Sequence, residues 1–193
     1  MNTSDQNSVK PSADSLASAA QGFAKRGPAP VHLWNPDYCG ALDMRIARDG
    51  TWYYLGSPIG RLPLVRLFSS ILKREGDDYF LVTPVEKVGI TVEDVPFMAV
   101  DFELSDGPVI TFTTHVGDTV ALGPEHPLRL AYNEKGEPAP YVLVRNNLEA
   151  RIDRKSFYRL VEIASTHMLE GKPWLGVWSN GAFFPFIPES ELT

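Results

Sequence analysis

Arg145-Asn146-Asn147-Leu148-Glu149-Ala150-Arg151-Ile152-Asp153-Arg154-Lys155-Ser156-Phe157-Tyr158-Arg159-Leu160 decides the fold. Asn146-Asn147 is a tight hairpin signal between the strands Tyr141–Arg145 and Leu148–Ile152. An amphipathic helix is expected from about Lys155 to Leu169, with Gly171 as its cap and Pro173 forbidding continuation. The same order occurs upstream. Arg48-Asp49-Gly50 matches the turn at an offset of 97, and Ile59, Arg61, Leu64, Arg66 and Leu67 match Ile152, Arg154, Phe157, Arg159 and Leu160 at an offset of 93. The first copy therefore carries four extra residues, around Leu55 to Pro58. An aromatic-led strand follows each helix, at Tyr79 and at Trp174. The chain reads as an internal duplication. Two related, mostly antiparallel α+β halves carry one main helix each and join near Glu93 to Pro96. A duplicated fold has one natural cleft, the seam between its halves.

Working outward, Met1 to Pro11 is a polar tail and Ser12 to Lys25 a short helix. Ser12 or Asp14 caps it, and Leu16, Ala19, Ala20 and Phe23 share one side. A helix this short is marginal alone and should dock on the body. Arg26-Gly27-Pro28-Ala29-Pro30 is a stiff linker. The first hairpin pairs the run from Leu42 with Trp52–Leu55 across Asp49-Gly50. Its helix is expected over about Pro63 to Arg74, stopped by Glu75-Gly76-Asp77-Asp78. Strands are expected at Tyr79–Thr83, Gly89–Val92, Phe97–Leu104, Val109–His115, Thr119–Leu122 and Leu128–Tyr132. A last hairpin joins Trp174–Trp178 to Ala182–Phe186. The boundaries are residues 1–27 for the tail and short helix, 28–95 for the N-terminal repeat and 96–193 for the C-terminal repeat.

Composition narrows the function. The chain has 193 residues, 44% hydrophobic and 22% charged, enough apolar material for a core without disulfides or metal. No apolar run approaches the roughly 20 residues that cross a bilayer, and the polar start argues against a signal peptide. One cysteine, Cys39, fits a reducing cytoplasm. A net charge of −6 disfavours nucleic-acid polymers and anionic membranes as partners.

Each chemical motif has two readings. Gly56-Ser57-Pro58-Ile59-Gly60-Arg61 before a helix could cradle an anion beside Arg61. It lacks the Walker ending, and a glycine-relieved turn is the favoured reading. Arg61, Arg145 and Arg154 carry planar forks suited to phosphate or carboxylate, or they fasten loops. Thr83-Pro84-Val85-Glu86-Lys87 offers Glu86 and Lys87 to a ligand, or is a solvated corner. Thr113-Thr114-His115-Val116-Gly117-Asp118-Thr119 could bind polar ligand groups or hold an acid–base pair, or is a side-chain-capped turn, the favoured reading. Cys39 alone is mostly a small buried residue. The four histidines lack ligand spacing, so no metal site and no cofactor are expected.

An ordered set of short motifs carries a resemblance. Trp34-x-Pro36 with Cys39-Gly40, Asp49-Gly50-Thr51-Trp52, Gly56-Ser57-Pro58-Ile59-x-Arg61, Leu64-Val65-Arg66-Leu67-Phe68, Thr83-Pro84-Val85-Glu86-Lys87, Gly117-Asp118, Arg145 with Leu148-Glu149-Ala150, Arg154 and Gly176-Val177-Trp178-Ser179 follow in that order. Together they resemble the bacterial domain of unknown function family 1285 over about Trp34 to Phe186. The resemblance implies a duplicated two-domain α+β fold with a pleckstrin-homology-like C-terminal half. It also implies a ligand pocket at the domain interface suited to a nucleotide-based ligand, and a role in signal transduction. It brings no catalytic residues.

The leading expectation is a non-enzymatic binding or signalling module for a small anionic, nucleotide-like ligand. Arg61, Arg145 and Arg154 would contact charge, Glu86, Lys87 and Asp118 would orient the ligand, and Trp178 would stack on a ring. The alternatives are a protein-interaction module without a small ligand, and a hydrolase or transferase using Cys39, His115 or Asp118.

Overall fold

The computed structural model describes residues 10–23 and 27–192. The expected tail before residue 10 and the expected helix end at Lys25 lie outside these residues. Contacts divide the chain into two units. One holds the described residues up to Ala47 together with Thr51–Glu93, and the other holds Arg48–Gly50 and the described residues from Asp94.

The first unit opens with α1 (Ala13–Gln21). Ser12 caps it reciprocally with Ser15: each side chain accepts from the other's backbone N–H. Leu16 and Ala20 are fully buried, and α1 packs on α2 (Leu62–Ser70). A six-stranded sheet follows. Its strands are β1 (Tyr38–Ile46), β2 (Trp52–Tyr54), β3 (Ser57–Pro58), β4 (Leu72–Glu75), β5 (Asp78–Val82) and β6 (Lys87–Val92), in the order β3-β2-β1-β6-β5-β4. All pairs are antiparallel except β1 with β6. The four extra residues of the first copy form the β2–β3 turn and β3. Leu55 and Gly56 take the positive φ angles, 50° and 77°, that such a two-residue turn needs. Trp52 and Phe68, both fully buried, stack at 6.3 Å between sheet and helix.

The second unit has a six-stranded sheet of β7 (Phe97–Leu104), β8 (Ile110–Thr114), β9 (Thr119–Ala121), β10 (Leu128–Tyr132), β11 (Pro138–Arg145) and β12 (Leu148–Ile152). The order is β10-β11-β12-β7-β8-β9, with one parallel pair, β12 with β7. Helix α3 (Arg154–Glu162) leads to a separate antiparallel sheet, β13 (Ser165–Leu169), β14 (Lys172–Ser179) and β15 (Ala182–Pro188). Ser179, fully buried, ties the two sheets: its hydroxyl donates to the Leu122 carbonyl at 2.7 Å and accepts from the Ile110 N–H at 2.9 Å.

The helix boundaries differ from expectation in the same way in both copies. The first helix ends at Ser70 rather than Arg74, and the second at Glu162 rather than Leu169. In each case the remainder is a strand, β4 or β13, that hairpins into the next. Gly171 is therefore not a helix cap. Glu170 and Gly171 have φ of 49° and 77° and form the two-residue β13–β14 turn. Apolar residues such as Leu72 and Leu169 fit a helical stripe as well as a strand, and pairing with the following strand decides between them.

The repeat is thus hairpin, helix and three-strand meander: β1-β2, α2 and β4-β5-β6, then β11-β12, α3 and β13-β14-β15. The copies differ in sheet closure. In the first, β6 returns to pair with β1; in the second, the meander is a sheet of its own.

Candidate functional site

The second unit contains an open cavity of about 590 Å³. Its wall combines the first turn of α3 (Arg154, Phe157, Tyr158), the end of β12 (Arg151, Ile152), β10–β11 (Tyr132, Pro138, Tyr141), Asp94 and Arg48. The strand register sets the lining residues Tyr141 and Arg151 in one row with Arg129, which stands outside the lining. Arg129, Tyr141 and Arg151 lie opposite one another across β10, β11 and β12. The Arg129 guanidinium sits 4.2 Å from the Tyr141 ring centroid and is held by both oxygens of Glu149, at 2.6 and 2.7 Å. Asp94 accepts from the Tyr141 hydroxyl at 3.0 Å and from Arg151 at 3.1 Å. Burial, and then the Asp94 carboxylate, hold the Tyr141 phenol above its ordinary pKa, so it stays a donor.

The acids lining the cavity are engaged. Asp94 is paired with Arg151. Asp153 caps α3, accepting from the Ser156 N–H at 2.8 Å. Glu137 accepts from Asn133 Nδ2 at 2.6 Å. Among the described residues Arg154, exposed at the first position of α3, makes no ion pair. The helix N-terminus already carries the Asp153 carboxylate, so the free positive charge at this cavity belongs to the Arg154 side chain.

The other residues singled out in the sequence lie as follows. Arg145 and Asp118 are brought together in a half-buried ion pair, with the guanidinium 4.7 Å from the Phe97 ring centroid. Neither lines the cavity. Trp178, on β14 and 43% exposed, packs against His167 and Phe183 at 4.8 and 5.4 Å, away from the cavity lining. In the first unit, Arg61 is the exposed N-cap residue of α2 and makes no capping bond with its side chain. Gly56, five residues earlier, belongs to the β2–β3 turn. Lys87 pairs with Glu75 at 2.9 Å and lies 4.8 Å from the Phe80 ring centroid. It lines a second cavity of about 440 Å³ with Tyr38, Phe80 and Ile90, a lining that includes neither Arg61 nor Glu86.

The two polar turns are capped by their own threonines. Thr83, fully buried, accepts from the Glu86 N–H at 3.1 Å and the Val85 N–H at 3.4 Å. Thr114 accepts from the Asp118 N–H at 3.1 Å. His115 turns its Nδ1 to accept from the Met98 N–H at 3.1 Å, and burial pushes the imidazole below its ordinary pKa. Its proton then resides on Nε2, which packs against Gly50. The Cys39 thiol is exposed and contacts the Asp37 carbonyl at 3.3 Å.

Glu86 makes a measurable prediction. Desolvation raises its carboxyl above the ordinary value. The fold therefore favours the protonated form. That contribution is complete below the usual glutamate pKa of about 4.3, and it is lost as pH rises through the elevated folded value. Glu86→Gln should raise Tm at pH 7 and leave it unchanged near pH 4, as read by thermal melts across that range.

Arg48, Asp94, Tyr132, Tyr141, Arg151 and Tyr158 were not singled out by sequence spacing. Arg151 carried the one usable signal, since it precedes Arg154 by three residues at a strand–helix junction.

Fold and site define a two-unit α+β protein whose C-terminal unit bears an arginine-lined cavity. The N-terminal domain model of the DUF1285 family, a domain of unknown function, matches residues 29–95, and the C-terminal domain model matches residues 96–186. The chain belongs to the DUF1285 family. It is similar to the crystal structure of a DUF1285 family protein from Silicibacter pomeroyi DSS-3, with 57% identity and a TM-score of 0.82, over 92% of this chain and 97% of that one. A second DUF1285 family protein, from Shewanella baltica OS155, is 29% identical with a TM-score of 0.53, over 63% of this chain and 91% of that one. No curated protein matches. No helix among the described residues is long and apolar enough to cross a membrane.

Proposed function

We propose that the chain is a non-enzymatic binding module for a small anionic ligand, nucleotide-like in combining charge with a ring, that occupies the cavity of the second unit. One observation carries the reading: the acids lining that cavity are engaged by neighbouring groups while Arg154 has no ion-pair partner among the described residues. Arg154 would take the ligand's charge as a bidentate fork. Arg151, fixed by Asp94, would add field without needing to move. Tyr132, Phe157 and Tyr158 give the ring aromatic surface. The volume suits a small-molecule site, in the range of about 300–1,000 Å³.

In this reading Arg145 and Asp118 fasten a loop, while Arg61, Glu86, Lys87 and Trp178 stand outside the ligand's first contacts. A signalling role and a pleckstrin-homology-like character of the C-terminal half belong to the same proposal. The two sheets and nine-residue α3 among the described residues of that half support the pleckstrin-homology-like character. The single cysteine supports a reducing cytoplasm.

A thermal-shift screen against nucleotides, dinucleotides and phosphorylated sugars tests the proposal. A ligand at 100 times its Kd stabilises by about 2.7 kcal/mol, which at this size raises Tm by roughly 5–11 °C. Arg154→Ala should weaken a hit by about 1.5–3 kcal/mol, the cost of one charged hydrogen-bonding contact. A hit unaffected by Arg154→Ala removes that residue from the site.

A further inference from the structure

The exposed apolar side chains are unevenly placed. Tyr158, Val161, Ile163, Met168 and Leu169, between 36% and 58% exposed, fall within one segment that runs from α3 into β13. Such a cluster marks an interaction surface. Among the described residues strand β13 pairs on one side only, with β14, so its other edge presents backbone groups that no described strand pairs. Its sequence, Ser165-Thr166-His167-Met168-Leu169, contains no lysine, proline or acidic residue, the usual guards of an open edge.

The helix names the occupant. Lys155, Tyr158 and Glu162 follow i, i+3, i+7 spacing on the outward side of α3, and all three are exposed. The stripe is basic at its N-terminal end, acidic at its C-terminal end and apolar between. Lys155 and Glu162 have no ion-pair partner among the described residues. A two-fold interface brings residue i against residue j and j against i. An antiparallel pairing of this stripe with its own copy sets Lys155 of each chain against Glu162 of the other, with the two Tyr158 side chains meeting at the axis and Val161 flanking it. We infer that the outward face of α3, with the adjoining edge of β13, is a two-fold interface between two copies of this chain.

This inference does not rest on the ligand reading, although Tyr158 also borders the cavity. Sedimentation velocity of the full chain across a concentration series tests it. A reversible dimer is expected. Lys155→Glu should raise the dimer Kd by about tenfold or more, because symmetry turns two attractions into two repulsions. Lys155→Glu with Glu162→Lys should restore the dimer, since the swapped pair is again complementary. Met168→Lys, at an exposed edge position that leaves the core alone, should also weaken it. A monomer at every accessible concentration overturns the inference. So does a dimer indifferent to both Lys155→Glu and Met168→Lys, or a charge swap that fails to restore association.

Discussion

Gly176→Ala should lower Tm by roughly 6–12 °C, the equivalent of about 3 kcal/mol at this chain length. Gly176 lies in the central strand β14, where its register with β15 shifts between Leu175 and Gly176. A Cβ there would stand 2.3 Å from the Phe184 carbonyl oxygen, 2.7 Å from Phe183 Cζ and 2.9 Å from Pro185 Cα. The Phe183 ring can swing aside, but the carbonyl and Pro185 Cα are backbone, so relief means separating β14 from β15. Phe183→Leu in the same chain should therefore not rescue stability. A loss below about 2 °C would show that the two strands part at little cost.

Arg145→Ala should cost about 2 kcal/mol. The side chain pairs with Asp118 and covers the Phe97 ring, with side-chain exposures of 17% for Arg145 and 26% for Asp118. Removing the arginine leaves a half-buried carboxylate without this partner and uncovers an aromatic face. Adding Asp118→Asn should recover part of the loss, because a neutral amide tolerates that setting better. A double-mutant cycle should return a coupling of about 1–2 kcal/mol. Arg145→Lys should not restore full stability, since a lysine lacks the planar fork that stacks on Phe97 while holding the carboxylate. Chemical denaturation of the wild type, the two single variants of the cycle, their double variant and Arg145→Lys measures all of this. Coupling near zero would mean that solvent satisfies Asp118 unaided.

Much of the architecture was legible because it is local. Asp49-Gly50 and Asn146-Asn147 announce their turns, and the run after each turn signals a strand. The duplication was legible because the same turn, Ile-x-Arg and helix order recurs. The first copy's extra residues at Leu55 to Pro58 proved to be one added hairpin. What was not legible is pairing. Leu72 to Glu75 and Ser165 to Leu169 carry apolar residues at positions that suit a helix, and the strands that claim them come later in the chain. The same limit hid the cavity. Arg129, Tyr141 and Arg151 form one row only when the register of three strands is known. Asp94, read as part of a joint, gains its partners from residues 47 and 57 positions away. Arg154 could be singled out because it recurs with Arg61 before each helix. Its lack of an ion-pair partner required the positions of the surrounding acids.

Amide chemical-shift mapping with AMP and inorganic pyrophosphate as probes tests the central claim most directly. Saturable shifts are expected at the cavity lining, Arg48, Asp94, Met98 and the segments 131–141 and 151–158, and Arg154→Ala should weaken them by the same amount of about 1.5–3 kcal/mol, roughly one to two orders of magnitude in Kd. Shifts absent from both segments, or clustered instead around Tyr38, Phe80 and Lys87, would contradict it.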